Sequence, residues 1–91
     1  LGMLYNEKGD YEQAIKNYRA ALALAPHRAS VWYSLAAAAA VSGKRDEALA
    51  ALRRSLELDA ATFHLPARTD ADFASLRSLR EFREIIDGLK P

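Results

Sequence analysis

The sequence predicts an all-α fold assembled from helical hairpins in series, and three observations carry that expectation. Alanine makes up about a fifth of the 91 residues and leucine is plentiful, whereas valine and isoleucine are limited to Val31, Val41, Ile15, Ile85 and Ile86. That balance favours helix over strand. Displaced against itself by 34 positions, the chain aligns Leu1 with Leu35, Gly9 with Gly43, Ala14 with Ala48, Tyr18 with Leu52, Leu22 with Leu56 and Leu24 with Leu58, with no gap. A period of this length implies a repeated helix-turn-helix unit. Within each copy the apolar residues recur at spacings of three and four, which is one face of a helix.

The elements follow in order. Gly9 and Gly43 each come after an apolar-periodic stretch, where a residue free to take positive φ can close a helix. A second stretch then runs over 11–24 and over 45–58. Ala14, Ile15, Tyr18 and Leu22 form the apolar face of the first, and Ala48, Leu49, Leu52 and Leu56 that of the second. Pro26 prevents the first from continuing. Small residues at Gly2, Ala14, Ala36 and Ala48 are expected to let paired helices approach closely, with Trp32, Tyr18, Leu22 and Leu52 filling the remaining space.

After Leu58 the period lapses, and 60–69, which contains Pro66, reads as a connection with at most a short helical turn. Thr69 with Asp72, and Ser78 with Glu81, have capping-box spacing and start two helices, roughly 70–77 and 79–89. In the last, Leu79, Phe82, Ile85, Ile86 and Leu89 form an apolar stripe opposite Arg80, Arg83, Glu84 and Asp87.

The run Leu1-Gly2, Tyr5, Gly9-Asp10-Tyr11, Ala14, Tyr18, Ala21-Leu22, Pro26, Trp32 and Leu35 resembles the tetratricopeptide-repeat (TPR) signature in residue type and spacing. The match covers 1–62, as a truncated repeat at 1–28 and a complete one at 29–62, and leaves 63–91 as a connection with capping helices of the same domain. It departs from the family pattern at Ala39, Arg45 and Ala60. The string Asp70, Asp72-Phe73, Leu76-Arg77, Phe82 is similar to the segment that ends many bacterial TPR arrays, which implies a bacterial origin, an array that stops here and a chain that is part of a longer protein. The family resemblance implies a right-handed superhelical stack of antiparallel hairpins. It also implies a concave groove lined by the first helix of each repeat, which by position points to Met3, Asn6, Glu7, Ser30, Tyr33, Ser34, Ala37, Ala40 and Val41. Tyr33 is the one large amphipathic anchor among them.

Other chemistries find little support. Thirteen basic and twelve acidic side chains nearly cancel, so no strong field draws in nucleic acid or an anionic membrane surface. The absence of cysteine removes thiolate nucleophiles and cysteine-based metal sites. The longest apolar run, 35–41, is far short of a membrane span, and a soluble chain is expected, with cytoplasm ahead of periplasm. Asp70 and Asp72 have the spacing of a metal pair, but both fall at a helix start, where carboxylates are favoured. His27 and His64 are placed in connections with no nucleophile or orienting acid at hand. Arg77, Arg80 and Arg83 are interleaved with Glu81, Glu84 and Asp87, which reads as a solvated face.

The expected function is a non-catalytic scaffold, without cofactor or metal, that holds a peptide or helix of a protein partner in the groove. A structural alternative is an end cap that forms a homodimer or docks onto another part of a larger polypeptide, enzymatic or not. Nucleic-acid binding is remote, because the corresponding groove positions Asn6 and Ala40, and Glu7 and Val41, carry no repeated polar code.

Overall fold

The structure, a computed structural model, describes residues 8–90. These residues form α1 (Lys8–Leu24), α2 (Ala29–Val41), α3 (Arg45–Thr69), a 3₁₀ helix (Ala71–Leu76) and α4 (Arg80–Gly88), with no strand among them. The fold is an all-α helical repeat, as the periodicity implies. Gly9 lies inside α1 and does not break it.

The turn from α1 to α2 is held from both sides. Ala25 N–H still donates to Ala21 at 2.9 Å, and Pro26, which cannot extend the helix, offers its carbonyl to the Trp32 indole N–H at 2.7 Å. Trp32 therefore fixes the hairpin angle as well as filling space. The other end of α2 closes as the sequence predicts. Gly43 takes φ 81°, and the N–H groups of Lys44 and Gly43 fold back to the carbonyls of Ala39 and Ala40 at 2.8 and 3.2 Å. This is a Schellman cap, and it needs the left-handed conformation that glycine adopts without a Cβ penalty.

The close approach of α2 to α3 rests on small side chains. Ala36, Ala39 and Ala48 are fully buried, and Ala38, Ala40 and Ala51 nearly so. Leu35, Leu52 and Leu56 fill the seam. The buried hydroxyl of Ser55 donates to the Ala29 carbonyl at 3.0 Å, which ties α3 to the start of α2 without leaving a polar group unpaired. On the exposed side, Arg19 grips Glu47 through two N–H groups and Lys44 pairs with Glu12 at 3.1 Å, bridging α1 to the first turn of α3 and to the residue that precedes it.

Residues 60–69 correct the sequence reading, since they are helical rather than a connection. Asp59 has φ −157° and ψ 70°, so α3 is two helices joined at a kink. The Asp59 carboxylate accepts from Thr62 N–H at 3.2 Å and so caps the second one. Pro66 sits within that second helix, where it gives up one backbone bond but does not end the element.

Both expected caps beyond it also move. Asp70, not Thr69, starts the next element, with Oδ1 accepting from Asp72 N–H at 2.9 Å, and the element is a 3₁₀ helix. Leu79 rather than Ser78 is the N-cap of α4, with no side-chain cap bond. The apolar stripe of α4 is buried as expected: Phe82, Ile85 and Ile86 pack with Phe73 and Leu76 into the core shared with α2 and α3.

Candidate functional site

Three tyrosines on two helices define the candidate site. Tyr11, Ala14 and Tyr18 occupy positions three and four apart on α1, so they share a face. On α2, Ala37 lies four residues from Tyr33 and three from Ser34, and all three line the same recess. The two faces converge on an open cleft of about 280 Å³, floored by Ala14, Ala37 and Ala38 and edged by Asp70 and Asp72. All three tyrosines are half-buried.

The tail holds Tyr33 in place. Its ring stacks on Phe63 with centroids 5.0 Å apart and meets Phe73 edge-on at 5.6 Å. Its hydroxyl donates to Asp70 Oδ2 at 3.0 Å. Burial, and then the hydrogen bond and charge of Asp70, push the phenol above its ordinary range, so it stays a neutral donor. Asp72 is also pushed up, first by partial burial and then by the neighbouring charge of Asp70. The backbone beneath the two acids is fixed by Arg77, which donates to the carbonyls of Arg68 at 3.1 Å and Asp70 at 2.5 Å.

The residues expected in a groove divide. Tyr33, Ser34 and Ala37 line the cleft. Ala40 is 5 % exposed and lies in the core instead, because α2 turns this alanine toward its neighbours. Ser30 and Val41 are exposed but are not among the cleft residues. Met3, Asn6 and Glu7 lie outside the described residues.

The sequence reading overlooked the contribution of α1. In the sequence Tyr11 and Tyr18 carry only repeat register and packing, although tyrosine on a packing face also signals an amphipathic contact surface. One of the two histidines also needs correction. His27 is exposed in the turn, whereas His64 is buried in the second half of α3, with Nε2 2.8 Å from the Ile86 carbonyl. It is a tie between α3 and α4, not a connection residue. Nor is Arg77 part of a solvated face, given its two carbonyl partners. Asp70 serves as a cap. No group of three or more His, Cys, Asp or Glu side chains able to hold a metal ion occurs among the described residues.

Chemically, the cleft presents aromatic surface, an alanine floor and a negative edge. No helix among the described residues is long and apolar enough to cross a membrane.

Comparison with known proteins agrees with the repeat architecture. A family profile described as "TPR repeat" matches residues 2–40, and one described as "Tetratricopeptide repeat" matches residues 29–62. Neither reaches the 3₁₀ helix or α4. Among curated proteins, the chain is 36 % identical over 58 residues to a peroxisomal targeting signal receptor of Eremothecium gossypii. The aligned segment is 64 % of this chain but 10 % of the receptor, so the chain spans a small part of that relative. No solved structure matches.

Proposed function

From the premise that this chain belongs to the tetratricopeptide-repeat family, a family of protein-interaction modules, we propose that it captures a segment of a protein partner in the cleft between α1 and α2 and catalyses no reaction itself. The observation that carries this reading is the convergence of Tyr11, Tyr18 and Tyr33 over an alanine floor. Tyrosine supplies large contact area and a hydrogen bond at little loss of side-chain freedom, which is why it recurs at recognition surfaces. The resemblance to a targeting-signal receptor supports partner capture in general terms.

A cleft with a small-residue floor can be tested by filling it. Ala37→Arg places a long side chain where a partner segment would lie, on a residue that is only half-buried. Capture of partner from lysate should fall at least tenfold, the loss of about 1.4 kcal/mol or more that an interface anchor carries. The matched control is Arg53→Ala, on the exposed side of α3. Equal capture by Ala37→Arg, Arg53→Ala and the parent would remove the cleft from the binding surface.

The contacts of Tyr33 with Phe63, Phe73 and Asp70 favour a second reading, in which this end of the array is chiefly a structural cap that dimerises or docks onto another domain. Light scattering separates the two, because the cap reading expects a mass that rises with concentration and the capture reading expects a constant monomer.

A further inference from the structure

A second recess, of about 240 Å³, is built entirely from the tail and is independent of the tyrosine cleft. Its floor is apolar, from Phe82 and Ile86, which are 4 % and 8 % exposed. Its walls carry Arg68, Arg77 and Arg83, against one acid, Asp87. These arginines come from three separate elements: α3, the link after the 3₁₀ helix, and α4. None of the three guanidiniums is paired with a described carboxylate, whereas Arg19 and Arg54 have Glu47 and Glu57.

Two of the three are also held in place before any ligand arrives. Arg77 is anchored by the Arg68 and Asp70 carbonyls, and Arg83 donates to the Ser78 carbonyl at 3.2 Å. Each keeps further N–H donors after these bonds. Anchored side chains lose less freedom when they bind, and an oxyanion would relieve the repulsion among three clustered cations.

We propose that this recess binds an aspartate or glutamate side chain of a partner polypeptide, with an adjoining apolar side chain seated on Phe82 and Ile86. A planar carboxylate matches the guanidinium fork. By charge alone the three guanidiniums, against one acid, would draw a phosphate as well, so a phosphorylated side chain is the competing occupant. Nucleic acid is disfavoured by the lack of an exposed aromatic platform, Phe82 being buried.

The test is an NMR titration of the chain with N-acetyl-glutamyl-leucinamide, following the side-chain Nε–H signals of the three arginines and the Ile86 methyl groups. Parallel titrations use the glutaminyl and phosphoseryl analogues. The expected result is that the glutamyl compound shifts these signals at least fivefold more strongly than the glutaminyl analogue and no less strongly than the phosphoseryl one, and that Arg83→Gln or Arg68→Gln weakens the response at least fivefold. Both arginines are exposed, so these variants keep the fold, and the melting temperature confirms it. An equal response to the glutaminyl compound, a stronger one to the phosphoseryl compound, or shifts unaffected by either substitution would overturn the proposal.

Discussion

The hydroxyl of Tyr33 on α2 donates to Asp70 Oδ2 at 3.0 Å across 37 positions of sequence, joining the repeat to its tail at the edge of the cleft. Asp70 uses its other oxygen to cap the 3₁₀ helix, and Arg77 holds its carbonyl. One acid thereby sets the start of the tail and the position of the anchor tyrosine together.

Removing only that hydroxyl isolates its contribution. Tyr33→Phe keeps the stacking on Phe63 and Phe73, and should cost about 1 kcal/mol, the scale of one hydrogen bond to a partly solvated charged acceptor. Urea denaturation of the two proteins measures it. A midpoint unchanged from the parent would mean that the bond does not tie the tail down.

The burial of the same hydroxyl, together with its bond to Asp70, predicts an alkaline dependence. The folded state holds the Tyr33 phenol above its ordinary value of 10.0, so folding favours the neutral form. Its contribution is complete below about pH 10 and is lost as the pH rises further. Stability of the parent should therefore fall faster above pH 10 than that of Tyr33→Phe. Parallel curves through that range would contradict the assignment.

Phe82 tests whether α4 is integral to the core. Its ring is buried and lies 6.1 Å from that of Phe73. Phe82→Ala should cost roughly 3 kcal/mol or more, as expected for loss of a buried aromatic ring. Chemical denaturation that agreed with the parent within a few tenths would show that α4 is not docked.

His64 offers an independent check on the same junction. Replacing it with leucine preserves bulk but leaves the Ile86 carbonyl without its partner, at a cost of about 1–3 kcal/mol. Hydrogen exchange should then speed up in α4 before it does in α2. Uniform acceleration, or none, would separate His64 from the docking of α4.

The repeat was legible because its information is local and duplicated. Gly43 announces a left-handed cap, Pro26 an end, and Ala48, Leu52 and Leu56 a face, each readable from neighbouring turns of one helix. The second helix of α3 was obscured because Pro66 reads as a breaker, although Asp59 with Thr62 three residues on is a start signal of the ordinary kind. The cleft was half legible. Tyr33, Ser34 and Ala37 follow from their place on α2, but Tyr11 and Tyr18 look like packing residues in sequence, and no sequence pattern pairs Tyr33 with Asp70. Ala40 went astray because five consecutive alanines leave hydrophobicity uniform around the helix, so the sequence does not show which of them faces inward.

The most direct test of the central claim is to place a photo-crosslinking group at the cleft and away from it. Tyr18 replaced by p-azidophenylalanine keeps an aromatic ring at a half-buried cleft position, and the same group at Arg53 lies on an exposed face of α3. The account predicts a partner adduct from position 18 after illumination, little or none from position 53, and loss of the position-18 adduct when Ala37→Arg is added. An adduct from position 53 alone, or one from position 18 that survives Ala37→Arg undiminished, would contradict capture in the cleft.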